Sequence, residues 1–340
     1  MPFGPVDQAL MPGAKNAVET CLAIRVGERV ALISDEASAP VAACLADALS
    51  QAGARWTGDL IEDLAPRPLA EVPRAIVDAL ETADAGILCV QPLEGELRAR
   101  MSIVAVVERR QIRYAHMVGV TPAIMQQGMR ADYRLVDRLS DRLLTLMRSA
   151  RRLAVRTAAG TRFDATFDPS LSWVKTSGLI SPRYWSNLPA GEVFTAPASV
   201  DGTFVCNSMI GDYFGPKYGD LQASPMVLTI EAGRLAGVEC GRRDLVDEFW
   251  AYCHTDGNSN RVGELAFGTN IGLTDMIGVL LQDEKVPGVH LAFGDPYGNQ
   301  TRAPWSSRTH VDVLTRECDV WIDDAPVIER GKYLLGALGL

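Results

Sequence analysis

The chain has 340 residues, 47% of them hydrophobic and 22% charged, and carries a formal net charge of −9 at pH 7. This balance supplies ample core for a globular protein and argues against nucleic acid as a partner, which requires a basic face. No apolar run approaches the roughly 18 residues of a membrane span, and the start lacks a leader-like pattern, so we expect a cytoplasmic protein without a membrane partner.

The seven cysteines are odd in number, scattered and without a CxxC pair, which predicts reduced, mostly buried thiols. The chain length predicts two domains.

In the first half, apolar runs alternate with amphipathic segments. The predicted strands are Val30–Ile33, Ala54–Ile61, Ala85–Val90 and Arg113–Val118, and the predicted helices are 14–26, 39–52, Val72–Glu81, Glu96–Arg110 and Asp132–Ser149. This alternation predicts an α/β domain over residues 1–150, a doubly wound parallel sheet with helices on both faces. No GxGxxG or GxxxxGK[ST] motif is present, so we expect no nucleotide cofactor.

After residue 150 the pattern changes to short strands separated by Gly, Asp and Ser turns. The predicted strands are Arg152–Arg156, Thr161–Phe167, Gly202–Cys206, Met226–Glu231, Leu235–Cys240, Asp319–Ile322 and Val327–Tyr333. Two helices are predicted, Leu245–Cys253 and Thr274–Gln282, the latter with Thr274 as N-cap. Residues 151–340 thus form a predicted β-rich α+β domain.

Two segments of this domain are near copies, Gly263–Gly268 and Val289–Gly294, in which Glu264 or His290 precedes Leu-Ala-Phe-Gly. In a strand, alternate residues share a face, so the polar residue and the alanine lie opposite the leucine and phenylalanine. His310 and Asp312 likewise share a face. Three strands that point carboxylates and imidazoles to one side predict a metal site on a sheet.

The other polar candidates each have two interpretations. His116 lies in an apolar strand and is expected to be a buried structural histidine, whereas His254 ends a helix, where it is favourable as a cap. Glu192, between Gly191 and Pro197, is either a turn glutamate facing water or a rigidly held ligand. Tyr297, seven residues after His290, either packs in a turn or supplies a hydroxyl that stabilises an oxyanion.

The predicted ligands are three carboxylates and two imidazoles: Glu192, Glu264, His290, His310 and Asp312. Five such ligands suit two divalent ions about 3.5–4 Å apart, which activate a water molecule for hydrolysis. A set without thiolate favours Zn, Co or Mn.

These segments resemble the aminopeptidase T/aminopeptidase S family of dinuclear metallopeptidases. The resemblance lies in N-x-P-x-GEVFTAP at Asn187–Pro197, GE-[LIV]-[AG]-[LF]-G at Gly263–Gly268, H-[LIF]-A-[LF]-G-x-x-Y at His290–Tyr297 and H-x-D at His310–Asp312. It implies an α/β domain before a catalytic domain, a homodimer, the five metal ligands above and Tyr297 near the substrate. It also implies Glu284 as general base, although Glu284 lies six residues before His290 where the family's DEN segment places its glutamate five before.

A related branch is similar to 2,5-dihydroxypyridine 5,6-dioxygenase, which uses one Fe(II) to cleave an aromatic ring. That branch has histidine in the column where this chain has Glu264, and it lacks counterparts of Glu192 and His290. This chain has Glu264, Glu192 and His290. We therefore expect a metallohydrolase of amide bonds, most simply an aminopeptidase acting on a small peptide. The alternatives are the Fe(II) dioxygenase, an amidohydrolase of a small non-peptide amide, since the chain is short for the family, and a non-catalytic metal-binding relative.

Overall fold

The computed structural model describes residues 3–340. Its helices are α1 Met11–Lys15, α2 Ala39–Gln51, α3 Ile61–Leu64, α4 Arg74–Thr82, α5 Leu97–Arg110, α6 Pro122–Gln126, α7 Tyr133–Met147, α8 Gly215–Tyr218, α9 Arg243–Tyr252, α10 Leu280–Asp283 and α11 Gly298–Thr301. Its strands are β1 Arg29–Ser34, β2 Arg55–Leu60, β3 Ala85–Val90, β4 Arg113–Val118, β5 Arg152–Arg156, β6 Arg162–Thr166, β7 Val174–Thr176, β8 Ser186–Asn187, β9 Glu192–Thr195, β10 Ser199–Cys206, β11 Met226–Glu231, β12 Arg234–Glu239, β13 Val262–Gly268, β14 Gly288–Gly294, β15 His310–Leu314, β16 Asp319–Ile322, β17 Ala325–Glu329 and β18 Lys332–Tyr333. Among residues 3–340, no helix has the length and apolar character that a membrane crossing requires.

The chain divides into two compact units. The first ends at Arg134 and includes the later segment Gly178–Ala190, and the second comprises Leu135–Ser177 and Gly191–Leu340. The boundary therefore precedes the predicted residue 150, because most of α7 packs with the second unit. Its side chains in that core are Leu139, Leu143 and Met147. The segment Gly178–Ala190 joins the first unit because β8 extends the sheet there by pairing with β4.

The first unit contains the predicted parallel sheet, in the strand order β2-β1-β3-β4-β8. On one face of the two central strands, Ala31, Ile33, Leu88 and Val90 pack against α4 and α5. The alternate residues of the same strands are equally buried, namely Val30, Leu32, Ile87 and Cys89. Burial of both faces explains why these strands are unbroken apolar runs. The coarse α/β prediction for this half is confirmed.

The first predicted helix, 14–26, is wrong in its bounds. The observed helical turns run from Met11 to Cys21, first α-helical and then π-helical. Ala23 has a φ of 47°, in the left-handed region, so the helix cannot continue towards residue 26.

The second unit is built from two antiparallel sheets. One has eight strands in the order β12-β11-β10-β6-β5-β16-β17-β18, and the other has five in the order β15-β14-β13-β9-β7. Side chains from both sheets form one core, for example Phe163 and Phe204 from the first and Leu265 and Phe293 from the second. The β-rich prediction for the second half of the chain is therefore confirmed in outline.

The predicted helix Thr274–Gln282 is wrong over most of its length, because only Leu280–Asp283 is helical. Gly278 has a φ of +78°, which interrupts a right-handed helix. The Asp283 carboxylate also accepts hydrogen bonds from the backbone N–H groups of Ile277 and Gly278. These bonds fix a tight turn ahead of α10, and the side chain of Thr274 donates to Asp275 instead of capping a helix.

Candidate metal centre

The three strands β13, β14 and β15 separate apolar and polar residues onto opposite faces. Leu265, Phe267, Leu291 and Phe293 are buried in the core of the second unit, as are Val311 and Val313. The alternate residues therefore point to the other face, where they carry the predicted ligands Glu264, His290, His310 and Asp312. The strand periodicity of the twin segments thus places these side chains on one face of the sheet.

Strand register explains why the ligands have room to converge. Ala292 lies opposite both Glu264 on one neighbouring strand and Asp312 on the other, and Ala266 lies opposite His290. The alanines of the twin Leu-Ala-Phe-Gly segments are thus the small residues between larger polar ones. Their methyl groups leave space over the sheet in which carboxylates and imidazoles from three strands meet.

Glu192 joins the same face from β9 and is not a solvent-facing turn residue. It is 6% exposed and lies in register with Gly268 on one side and Thr176 on the other. Gly268 presents no side chain, so the glutamate can extend over it. The second interpretation from the sequence, a rigidly held carboxylate, describes the observed position.

His290 stands at the centre of the acidic groups. Its Nε2 atom lies 3.3 Å from Glu192 Oε1, 3.7 Å from Glu264 Oε1 and 4.0 Å from Asp312 Oδ1. The atom is buried and makes no hydrogen bond of normal geometry within residues 3–340. Two overlapping sets of side chains could hold a metal ion, and within each set one oxygen or nitrogen atom per residue lies within 4.8 Å of the others. The first set is Glu192, Glu284 and His290, and the second is Glu264, His290 and Asp312.

His310 is oriented by the backbone. Its Nδ1 lies 2.8 Å from the carbonyl oxygen of Asp295, and a carbonyl only accepts, so Nδ1 carries the proton and donates. Nε2 is then left to face the acidic groups, 3.5 Å from Asp312 Oδ1 and 3.8 Å from Glu264 Oε2. This is the arrangement by which proteins orient a metal-binding imidazole.

The two predicted catalytic side chains also reach the cluster. Glu284 follows α10 and contributes to the first set of converging atoms. The ring centroid of Tyr297 lies 4.6 Å from that of His310. Tyr297 is 41% exposed and has a φ of 50°, a strained conformation for a tyrosine.

The sequence interpretation missed one charged residue, Lys285. Its side chain is 3% exposed, and its Nζ lies 2.8 Å from Glu192 Oε2 and 2.6 Å from Glu284 Oε1. The signal was a lysine in the third position of Asp283-Glu284-Lys285, where the DEN segment of the resembling family has asparagine.

In the cluster, burial and the charges of neighbouring side chains have opposing effects on each pKa. Burial raises the pKa of Glu284 to about 8, although the Lys285 ammonium opposes the shift. For Glu192, burial is outweighed by the charges of Lys285 and His290, which lower its pKa to about 2. Burial likewise disfavours the charged form of His310, but the carboxylates of Asp312 and Glu264 raise its pKa to about 10. The cluster thus favours added positive charge.

A divalent cation fits these residues. The donors are carboxylate oxygens and imidazole nitrogens, without thiolate, as expected for Zn, Co, Mn or Fe(II). The buried His290 Nε2 lacks a hydrogen-bond partner within residues 3–340 and faces three carboxylates, which is the environment of a metal ligand. The other two histidines lie elsewhere: His116 is in β4 of the first unit, and His254 follows α9 with its Nδ1 2.7 Å from the Trp250 carbonyl oxygen.

The fold and this cluster define the class: an α/β unit with a β-rich unit that carries a candidate metal centre on an antiparallel sheet. Over 96% of its length, the chain is similar in structure to wild-type AmpT from Thermus thermophilus, with a TM-score of 0.69, 19% identity and 99% of that chain covered. It is also similar to 2,5-dihydroxypyridine dioxygenase from Pseudomonas putida KT2440, with a TM-score of 0.68, 19% identity and 97% and 98% of the two chains covered. These two neighbours match the family and the related branch that the motifs resemble, and at this identity they show a shared fold.

In sequence, the chain is 25% identical over 163 residues to the curated 2,5-dihydroxypyridine 5,6-dioxygenase of Pseudomonas putida KT2440. The match spans 45% of this chain and 45% of that protein, less than half the length of either. No family model matches the chain.

Proposed function

We propose that this protein is a metal-dependent hydrolase that cleaves an amide bond in a small substrate, most simply as an aminopeptidase. The observation that carries the proposal is the convergence of carboxylates and imidazoles from three strands, with the carboxyl of Glu284 beside them. This constellation supplies both a cation site and a proton-transfer group, which amide hydrolysis requires.

In this proposal, the metal ligands on the sheet are Glu264, His290, His310 and Asp312. A bound Zn, Co or Mn ion would lower the pKa of a water molecule and polarise the substrate carbonyl. The protein fixes the ligand geometry through the sheet register and through the hydrogen bond from His310 Nδ1 to Asp295. Burial of Glu264, His290 and Asp312 limits the access of bulk water to these ligands.

Glu284 serves as the general base and then as the general acid. Burial raises the pKa of its carboxyl to about 8, so it exchanges protons near neutral pH. It accepts a proton from the attacking water and delivers it to the leaving nitrogen as the carbon–nitrogen bond breaks. Water and the amide thus give a carboxylic acid and an amine.

Tyr297 donates a hydrogen bond to the carbonyl oxygen that gains negative charge. Although the residue as a whole is 41% exposed, its hydroxyl is desolvated. This desolvation and the carboxylates of Glu264 and Asp312 raise the pKa of the hydroxyl well above the usual value, so the hydroxyl keeps its proton. Donors aimed at a developing oxyanion contribute more to the rate than to substrate binding. The strained backbone of Tyr297 supports this positioning role.

The second candidate function is oxidative ring cleavage with one Fe(II). It is favoured by the sequence match to the dioxygenase and by the presence of two imidazoles beside a carboxylate, the ligand set of non-haem iron oxygenases. Glu264 and Glu192 count against it, because the dioxygenase branch lacks glutamate in these two columns.

The resemblance to the peptidase family also leads us to propose a homodimer, which light scattering would test.

The experiment is an assay of metal-loaded protein on a panel of aminoacyl amides and small non-peptide amides, with oxygen uptake on 2,5-dihydroxypyridine measured in parallel. We expect amide hydrolysis, and we expect His310→Ala to reduce it by at least about 100-fold, as for loss of a ligand that supports catalysis. The matched control is His254→Ala, a histidine of the same unit that lies outside the cluster. Metal-dependent oxygen uptake without hydrolysis would reject the hydrolase in favour of the dioxygenase.

A further inference from the structure

Lys285 places a fixed positive charge inside the candidate metal centre. Its Nζ bridges two carboxylates, Glu192 Oε2 at 2.8 Å and Glu284 Oε1 at 2.6 Å. Both partners belong to one of the two sets of converging ligand atoms, the set that His290 completes. The ammonium therefore occupies the carboxyl oxygen atoms that a second metal ion would use.

The backbone holds Lys285 in this position. Its carbonyl oxygen accepts a hydrogen bond from Asn270 N at 3.0 Å, and its N–H donates to Gln282 at 2.9 Å. The next residue packs directly on the end of β13, where a Cβ added to Gly268 would lie 2.0 Å from Val286 O. The backbone bonds and this close packing place the segment against the strand, with the Lys285 side chain buried in the site.

A second divalent ion beside Glu192 would have to displace or approach this ammonium. Like charges at such short range repel strongly in a buried site. Glu192 Oε2 is already bonded to Lys285, and only Oε1 faces His290. The other set of converging atoms, Glu264, His290 and Asp312, has no lysine among its contacts within residues 3–340 and stays available to a metal.

We propose that Lys285 is a permanent cation of this site that occupies the Glu192–Glu284 half, so that the chain binds one divalent ion and not two. Glu192 is then the counter-ion of Lys285 rather than a metal ligand, and Lys285 also positions the carboxylate of Glu284. The inference rests on the proposed metal centre and changes its stoichiometry from the two ions that the ligand count predicts.

The test is titration of the full-length, chelator-treated protein with MnCl2, with free Mn2+ counted by its electron paramagnetic resonance signal. Wild-type protein should bind one equivalent, without the spin coupling that two ions about 3.5–4 Å apart produce. Binding of two coupled ions would overturn the inference and leave the proposed hydrolase intact. Binding of none would remove the metal centre, and with it both proposals.

Two variants test whether Lys285 is the reason that only one divalent ion binds. Lys285→Met should admit a second equivalent of Mn2+, and a folded variant that still binds only one would contradict the assignment. Because loss of the ammonium leaves buried carboxylates unpaired, this variant risks poor folding. Glu192→Gln provides the independent test: it should still bind one equivalent with little change in affinity, whereas loss of Mn2+ binding would show that Glu192 is a ligand.

The matched control is Lys175→Met. Lys175 is likewise shared by two carboxylates, with Nζ 2.8 Å from Asp137 Oδ1 and 2.7 Å from Asp141 Oδ1. It lies outside both sets of converging ligand atoms. The variant should bind one equivalent of Mn2+, as the wild type does, which separates the effect of position from the loss of a lysine ion pair.

Discussion

Three of the four histidines show how contacts decide the chemistry of one residue type. His310 is held by the carbonyl of Asp295 and offers Nε2 to the acidic cluster, and His290 lies among three carboxylates. His116 instead shares a hydrogen bond with Tyr114 in the first unit. Neighbouring carboxylates keep the first two charged in the metal-free protein, whereas burial keeps His116 neutral.

At the residue scale, His116 makes a prediction about acid stability. Burial, with the nearby charge of Arg100, lowers the pKa of its imidazole from 6.5 to about 4. Between these two values the unfolded chain binds the proton more readily than the folded protein, so stability falls as pH falls. Between pH 7 and pH 4, we expect the free energy of unfolding of wild type to fall by up to about 3 kcal/mol relative to that of His116→Asn.

Urea unfolding at several pH values measures this change. The contributions of all other titratable groups are common to both proteins, so they cancel when the two free energies of unfolding are subtracted. His254→Asn serves as the control for replacement of a histidine outside the sheet of the first unit, since that side chain is exposed. A difference between wild type and His116→Asn that stays constant from pH 7 to pH 4 would contradict the burial argument.

At the element scale, the twin strands β13 and β14 both build the core and carry the ligands, because each residue of Leu-Ala-Phe-Gly has a different structural role. The leucine and phenylalanine fill the core, the alanine leaves room between ligands, and the final glycine permits close approach of another segment. For β13 that segment is Lys285–Val286, which carries the ammonium into the site.

Gly268→Ala should therefore destabilise the protein. The added methyl group would meet Val286 O at 2.0 Å and Lys285 C at 2.8 Å, so the strand and the segment must move apart. We expect a loss of about 2–3 kcal/mol in the free energy of unfolding, the upper range for overpacking. Chemical denaturation measures it, and a loss below about 0.5 kcal/mol would show that the segment yields easily.

The matched control for this substitution is Gly237→Ala in β12. There the new Cβ would lie 3.5 Å from Thr229 Cβ, an ordinary contact, and no left-handed φ is required. Since alanine loses less backbone entropy than glycine on folding, this variant should be neutral or slightly stabilising. The contrast between the two variants isolates the close approach at Gly268.

These elements also show what the sequence could predict and what it could not. The strand β3 and the polar face of β13–β15 were predictable, because an apolar run and the alternation of side chains along a strand are local patterns. The helix predicted at Thr274–Gln282 failed because the Asp283 carboxylate competes for backbone amides five and six residues away. The place of Lys285 was not predictable from local pattern, since it depends on which distant strand ends at a glycine.

At the scale of the whole molecule, the two units differ in what stabilises them. The first unit has an apolar sheet buried on both faces, so burial of apolar side chains stabilises it. The second unit buries the side chains of Glu192, Glu264, His290 and Asp312 close together on one sheet. A cation that binds the folded form and not the unfolded chain stabilises the fold, so the second unit should gain stability when a cation binds.

Metal binding should consequently protect one unit and not the other. A ligand present at 1,000 times its dissociation constant stabilises the folded state by about 4 kcal/mol, so amide exchange that requires unfolding of the second unit should slow by up to roughly 1,000-fold. Hydrogen–deuterium exchange with and without MnCl2 measures this in peptides from β13, β14 and β15, with peptides from β1 and β3 as the internal control. His310→Ala should abolish the protection in the second unit. Equal protection of both sets of peptides would mean that Mn2+ acts on the protein as a whole, which contradicts a centre confined to the sheet of β13–β15.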